Sequence, residues 1–262
     1  MLFIVPVKSA VISASWPRFS KLFERCIKSV CQQTDQDFKV VVVCHEKPDT
    51  TFQHPNLYYH QVDFAPPLPE TETGFKLIHE AKEADKAKKI IAGLEFARQF
   101  NQPYAMVVDA DDCINNQITA FVKKQPAEAG WYFNSGYIYK EGSRFIFKKT
   151  KDFNSLCGTC IIVKTSYLRD IISPDLYFRH RSKKLDNGAQ LKPLPFAGAI
   201  YTINNGENHF MNQSTVKHLN TGAHIPKTSP LNKAIRLIKK VMKYRVWFLS
   251  GGFKQKFGVY PI

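Results

Sequence analysis

The 262-residue chain is 44% hydrophobic and strongly basic, with 37 Lys and Arg against 22 Asp and Glu and a net charge of +15. That hydrophobic share supports a substantial buried core, and the charge calls for an anionic partner: nucleotide phosphates, nucleic acid or an acidic membrane surface. No apolar run approaches the ~20 residues that cross a bilayer, and residues 1–7 lack the basic lead-in and cleavage site of a secretory signal, so a cytoplasmic protein is expected.

Residues 2–7 read as a first strand. Positions 18–33 follow with Phe19, Leu22, Phe23, Cys26, Ile27 and Val30 on one helical stripe. Residues 40–44 predict a second strand buried on both faces, and 56–64 a third, ended by Pro66, Pro67 and Pro69. A long helical pattern covers 80–100 (Ala84, Ala87, Ile91, Leu94, Ala97), and 104–108 form the next strand. Strands alternating with helices in this order predict an α/β protein, its mostly parallel sheet covered by helices on both faces. Further on, 130–139 and 144–148 read as a hairpin turned at Glu141-Gly142-Ser143, and 160–164 as a strand followed by a helix at 166–172. An irregular stretch, 173–192, precedes a final strand at 196–203, which Asn204-Asn205-Gly206 breaks. The six cysteines (Cys26, Cys31, Cys44, Cys113, Cys157, Cys160) sit among these elements and read as reduced thiols. Cys157-Gly158-Thr159-Cys160 lacks the second pair that a zinc site requires and leads into a strand, unlike a redox motif that opens a helix.

The most informative run is Tyr104-Ala-Met-Val-Val-Asp109-Ala110-Asp111-Asp112, a buried strand that ends on three carboxylates. Open α/β sheets bind ligands at this edge, and carboxylates so crowded repel one another unless a cation is shared. A lone acidic turn would be solvated. A hard divalent ion that holds a diphosphate with one or two carboxylates is the reading the surrounding sequence favours.

Phe3-Ile4-Val5-Pro6-Val7, then 22–34 ending Ser29-Val30-Cys31-Gln32-Gln33-Thr34, then 38–43 and the Asp109–Asp112 motif together resemble family 2 glycosyltransferases of the GT-A fold. The likeness covers roughly the first 115 residues well and the remainder in outline. It implies a GT-A domain over 1–225, with a nucleotide-binding half (1–115) and an acceptor half (116–225). It further implies transfer of a sugar, with inversion, from a nucleotide-diphosphate sugar to a saccharide or lipid-linked hydroxyl acceptor, with Mn²⁺ or Mg²⁺ as cofactor. By that resemblance Pro6, Val7, Lys8, Asp109 and Ala110 meet the nucleotide sugar. Asp111 and Asp109 hold the metal, joined by His209. Asp112 either orients the pair or caps a helix beginning near Asn115.

Two departures from the family pattern are visible. The acidic residue that reads the base has no direct match after the second strand, where the chain runs Cys44-His45-Glu46-Lys47, which leaves Glu46 or Asp63. The Glu-Asp pair supplying the general base is also absent. In the window where it would fall, 180–187, Asp186 is the candidate base and His180 its partner or substitute, with Asp175 and Glu207 also weighed. Lys86 and Lys89 share a helix face ahead of the acidic strand and, with Asp85, resemble the donor-binding helix. Gly158 and Thr159 form a small-residue turn suited to the acceptor side.

A nucleotidyltransferase would want a glycine-rich phosphate loop after the first strand, and 8–17 contains no glycine. The alternatives that stay open are a non-catalytic GT-A-like domain and a basic nucleic-acid-binding module. The latter does not call for carboxylates at a strand end, so no nucleic acid is expected. From residue 226 to 262 the chain is basic without a single acid, and apolar side chains recur at helical spacing between Leu231 and Leu249. A basic amphipathic tail lying on an anionic membrane, anchored by Trp247 and Phe248, is one expectation, and a helix packed on the domain is the other.

Overall fold

Leu2-Phe3-Ile4-Val5-Pro6 carries no polar side chain and all five residues are buried, as a strand covered on both faces requires. It is β1 (Leu2–Pro6) in a computed structural model that describes residues 1–69, 75–208 and 244–262. Next come α1 (Trp16–Cys31), β2 (Lys39–Cys44), β3 (Leu57–Gln61), α2 (Phe75–Phe96) and β4 (Tyr104–Val107). β5 (Cys113–Ile114), α3 (Ile118–Lys123), β6 (Gly130–Tyr132), β7 (Gly136–Lys140), β8 (Phe145–Lys149) and β9 (Ile161–Lys164) form the middle of the chain. β10 (Lys192–Pro193), β11 (Ala199–Ile203), β12 (Tyr244–Phe248) and α4 (Gly251–Phe257) complete it.

The first sheet has seven strands in the order β10-β6-β9-β4-β1-β2-β3. β1, β2, β3 and β4 are parallel, and β9 runs antiparallel between β4 and β6. Strand alternation divides the core in two. Phe3 and Val5 point to the side of Phe19, Phe23 and Ile27 on α1, whereas Leu2 and Ile4 point to Ala87 and Ile90 on α2. Gly93 lets α2 approach closely, since a Cβ there would lie 2.8 Å from Val43 Cγ2 and 2.9 Å from Ile4 Cγ2. The expected α/β architecture, a mostly parallel sheet with helices on both faces, is what the chain forms. All six cysteines are free and buried.

The second half departs from the sequence reading in three places. Residues 130–139 are two strands, not one: β6 joins the first sheet, and β7 pairs with β8 in a second, five-stranded sheet of order β12-β8-β7-β11-β5. Asn134-Ser135 separates the two strands and carries the chain from one sheet to the other. A Cβ on Gly130 would stand 2.1 Å from the Ile162 carbonyl oxygen, so the glycine is what admits β9 there. The helix expected at 166–172 is two 3-10 turns, Thr165–Tyr167 and Arg169–Ile171. So short a segment just before Pro174 cannot complete a stable α-helix.

The third difference concerns the tail. The helical stripe meets the described residues only from Tyr244 onward, residues 226–243 lying outside them, and there the chain is strand β12, antiparallel to β8. The run Val246-Trp247-Phe248 is β-branched and aromatic, which favours a strand. α4 then returns to the domain: Phe253 and Phe257 meet the Tyr137 ring edge-on at 4.9 and 5.6 Å, and Phe257 and Val259 are buried with Tyr139, Ile146 and Ile200.

A buried ion pair fixes this last segment. Arg25 of α1, fully buried, donates to Glu141 Oε2 at 2.9 Å and to the Tyr260 carbonyl at 2.6 Å, while Ile262 N–H donates to Glu141 Oε1 at 2.9 Å. Arg25→Ala leaves Glu141 as an uncompensated buried charge, so a loss of roughly 3–5 kcal/mol is expected in the unfolding free energy from denaturant titration. A loss under ~1 kcal/mol would show that the pair does not hold the segment.

Candidate active site

The strand that ends on carboxylates leaves the first sheet beside β1. Val108 N–H still donates to the Ile4 carbonyl at 2.9 Å, and then the chain turns, Asp112 N–H donating to the Asp109 carbonyl at 3.0 Å, to enter β5 of the second sheet. The turn thus lies at the junction of the two sheets. It opens into a cleft of about 380 Å³ whose lining includes Pro6, Val7, Lys8, Asp109, Ala110 and Asp111.

The three carboxylates have different surroundings. Asp112 is fully buried, where its Oδ2 accepts from Thr159 Oγ1 at 2.7 Å and Cys157 Sγ at 3.2 Å and its Oδ1 from Thr202 N–H at 3.2 Å. Burial, and then the neighbouring Asp111 and Asp109, push its pKa well above the ordinary carboxylate range. Asp111 Oδ2 accepts from the amides of Asn205 at 2.7 Å and Asn208 at 3.3 Å. Burial and Asp109 raise its pKa, against the Asn205 bond. Asp109 pairs with Lys86 Nζ, and its backbone N–H donates to Thr159 Oγ1 at 2.9 Å. Burial works against the Lys86 ammonium, yet Asp109 and Glu83 hold its pKa above the usual lysine value.

The two asparagines sit in a tight corner after β11, where Asn204 and Gly206 take left-handed conformations at φ 58° and 85°. Glu207, next in this corner, accepts from Ser15 N–H at 2.7 Å and from Lys8 Nζ at 2.5 Å, so it clasps the loop after β1 across the cleft. The sequence marks Asn204-Asn205-Gly206 as a strand breaker. That the asparagine amides turn back onto Asp111 is not readable from it.

Other expected site residues fall differently. Asp85 and Lys89 reach the cleft lining but are largely buried and act as braces: Lys89 Nζ donates to the Val7 carbonyl and to Asp85 Oδ2, both at 2.7 Å, and His45 Nε2 lies 2.9 Å from Asp85 Oδ1. Lys86 alone of the lysine pair reaches the carboxylate turn. Glu46 does not line the cleft; its Oε1 accepts from Ser9 Oγ at 2.7 Å and Ala10 N–H at 3.2 Å, while Oε2 is buried without a protein partner. Asp63 is solvent-exposed and outside the lining. Thr159 is fully buried between Asp109 and Asp112, so of the two small-residue positions only Gly158 lines the cleft. A Cβ at Gly158 would stand 2.5 Å from Asp109 Oδ2. His209 and the basic stretch 226–243 lie outside the described residues.

The two residues expected to serve as base fall in different places. Asp186 is absent from the cleft lining, its side chain 65% exposed and paired with Arg179 at 2.6 Å. His180 does line the cleft, beside Tyr177, Arg181 and Leu156. Its Nδ1 lies 3.3 Å from the Phe178 carbonyl, which can only accept, so the neutral ring carries its proton there and leaves Nε2 bare. Burial first, and the Lys86 charge next, lower its pKa from 6.5 to about 4.

The donor set bears on a metal. Among the described residues no three His, Cys, Asp or Glu side chains cluster as a protein cage would. Two carboxylates at a cleft, Asp109 and Asp111, with Asp111 destabilised as an anion by its neighbour, fit a hard cation that completes its shell with ligand oxygens and water.

Residues 10–184 match the model of glycosyl transferase family 2. The chain belongs to that family. Its α/β architecture is the GT-A type that the family implies. A search of curated proteins found no match. Among solved structures, S. aureus TarS aligns with 77% of this chain and 36% of its own at 16% identity and a TM-score of 0.44. S. aureus TarS 1–349 in complex with UDP-GlcNAc aligns with 80% of this chain and 60% of its own, at 16% identity and a TM-score of 0.46. The chain therefore spans less than two thirds of the length of these structures, and the family membership rests on the sequence model.

His180 supplies a test of the site's electrostatics that needs no substrate. Its folded pKa lies below its unfolded one, so the unfolded chain binds more protons between about pH 6.5 and 4. Stability present at neutral pH is lost as the pH falls through that window, whereas Asp112, raised in the fold, contributes with the opposite sign. Denaturation of wild type and His180→Gln across pH 7 to 4 should show a shallower acid loss in the variant. Parallel curves would place His180 in water.

Proposed function

We propose that this protein transfers a sugar from a nucleotide-diphosphate sugar to a hydroxyl acceptor, with Mn²⁺ or Mg²⁺ held by Asp111 and Asp109. The observation that carries the reading is the pair of carboxylates at the β4 end, facing a cleft at the junction of the two sheets in a family 2 chain. Pro6, Val7 and Lys8 at the end of β1 border the donor side, with Ala110 beneath the sugar nucleotide. When bound, the cation neutralises the diphosphate as it leaves. Lys86, beside Asp109, adds a second positive charge on that side of the cleft, and Asp112 holds the Asp109 backbone from behind through Thr159.

The reaction is an inverting displacement: the acceptor oxygen bonds to the anomeric carbon as the bond to the diphosphate oxygen breaks. The hydroxyl proton passes to His180 Nε2, not to Asp186. An imidazole with a pKa of about 4 does not ionise a resting alcohol. It does take a proton from the far more acidic oxonium that forms as the new bond is made. Gly158 keeps the acceptor path open next to Asp109.

Two expected outcomes follow. In a thermal-shift screen of nucleotide sugars with Mn²⁺, at least one donor raises the wild-type melting temperature by mass action. Asp111→Asn, folded as judged by circular dichroism, loses both that shift and the Mn²⁺ dependence of donor binding; an unchanged shift in excess chelator would remove the metal from the account. Once a donor and acceptor are in hand, His180→Ala should lower turnover by about 10²–10⁴-fold with donor affinity kept, and Asp186→Ala should change neither. The reverse pattern would return the base to Asp186.

A further inference from the structure

β12 is the outer strand of the five-stranded sheet, and among the described residues it pairs with β8 alone. Apolar side chains are open to solvent on both of its faces. On one face Val246 and Phe248 are 51% and 67% exposed, and Phe248 meets Phe145 of β8, itself 43% exposed, at 4.8 Å between ring centroids. On the other face Trp247 is 49% exposed. These four make up most of the large hydrophobic side chains that the described residues expose. Exposed apolar side chains on an edge strand are ordinarily avoided, because such an edge pairs with other chains.

The charge around this edge decides what covers it. Arg144 and Arg245, both exposed, flank the aromatic cluster, and no acidic residue occurs from Asn208 to Ile262. A second copy of the chain would bring like charges together, at +15 per chain. A rigid protein partner would cover one face of the strand and leave the other wet. A lipid interface closes around an edge and takes up both faces, and aromatic rings with flanking Arg and Lys are the side chains that favour an anionic headgroup layer.

We propose that the β8–β12 edge inserts Phe145, Val246, Trp247 and Phe248 into the interface of an anionic membrane, with Arg144 and Arg245 on the headgroups. The surface is separate from the cleft, so its failure leaves the catalytic reading untouched, and the converse holds.

The test is flotation of the full chain with vesicles of phosphatidylcholine alone or mixed with phosphatidylglycerol. Wild type should float with the mixed vesicles, be released as salt rises, and show a blue shift of Trp247 emission that Trp247→Phe abolishes. Phe145→Ser/Phe248→Ser should weaken partitioning by about tenfold or more, since each buried aromatic ring contributes more than a methylene. Arg144→Glu/Arg245→Glu, exposed substitutions with no packing to lose, should weaken it comparably and selectively for the mixed vesicles. Flotation equal to wild type in both double variants, or equal binding to neutral vesicles, overturns the proposal. So does sedimentation velocity in which wild type is a dimer and Phe145→Ser/Phe248→Ser a monomer, because a second copy would then occupy the edge.

Discussion

The site depends on one buried carboxyl group. Asp112 gathers Thr159 and Cys157 from the turn before β9 and the backbone of Thr202 in β11, and Thr159 in turn receives the backbone N–H of Asp109. Strands of both sheets are therefore fastened to a single side chain, and the turn between them is held with Asp109 and Asp111 toward the cleft. A carboxyl so placed is costly to desolvate and is tolerated because three donors reach it.

Charge in the cleft is arranged on the same pattern. Lys8 faces Glu207, Lys86 faces Asp109 and Lys89 faces Asp85, so these basic side chains of the cleft are placed by acids rather than left to solvent. The pairs differ in depth. Lys89 and Asp85 are buried with His45 and brace the end of β1, whereas Lys86 and Asp109 remain a quarter exposed at the cleft. The loop after β1 and the corner after β11 are then clasped to each other through Glu207. The cleft is shaped by contacts between segments far apart in the chain.

That distance explains what could be read from the sequence. The first half was legible because its strands are uninterrupted apolar runs and α1 has a clean stripe, so local pattern and burial agree. Asp109, Ala110 and Asp111 were legible for the same reason, since the strand before them ends abruptly on charge. Asp186 was chosen by its position along the chain, and position does not reveal that Arg179, seven residues earlier, draws it to the surface. The asparagines holding Asp111 carry no local signature beyond a turn. The switch between sheets after Tyr132 is marked only by Asn134-Ser135-Gly136, a short break that does not say which sheet the next strand joins. The tail read as a helix at its described end because apolar spacing there fits a stripe, but pairing with β8 overrides that spacing.

Family membership, carboxylates at the strand end and a neutral histidine in the same lining meet in one cleft, and the account stands on that cleft cleaving the bond between a sugar and a nucleoside diphosphate. Water can serve as acceptor when no other is supplied, so the reaction is observable without knowing the natural one. The direct measurement is release of nucleoside diphosphate, followed by mass spectrometry, from a panel of nucleotide sugars incubated with the protein and Mn²⁺. The account predicts slow release from at least one of them by wild type and none by Asp111→Asn. No release from any donor under conditions where the donor demonstrably binds, or equal release by both proteins, would contradict it.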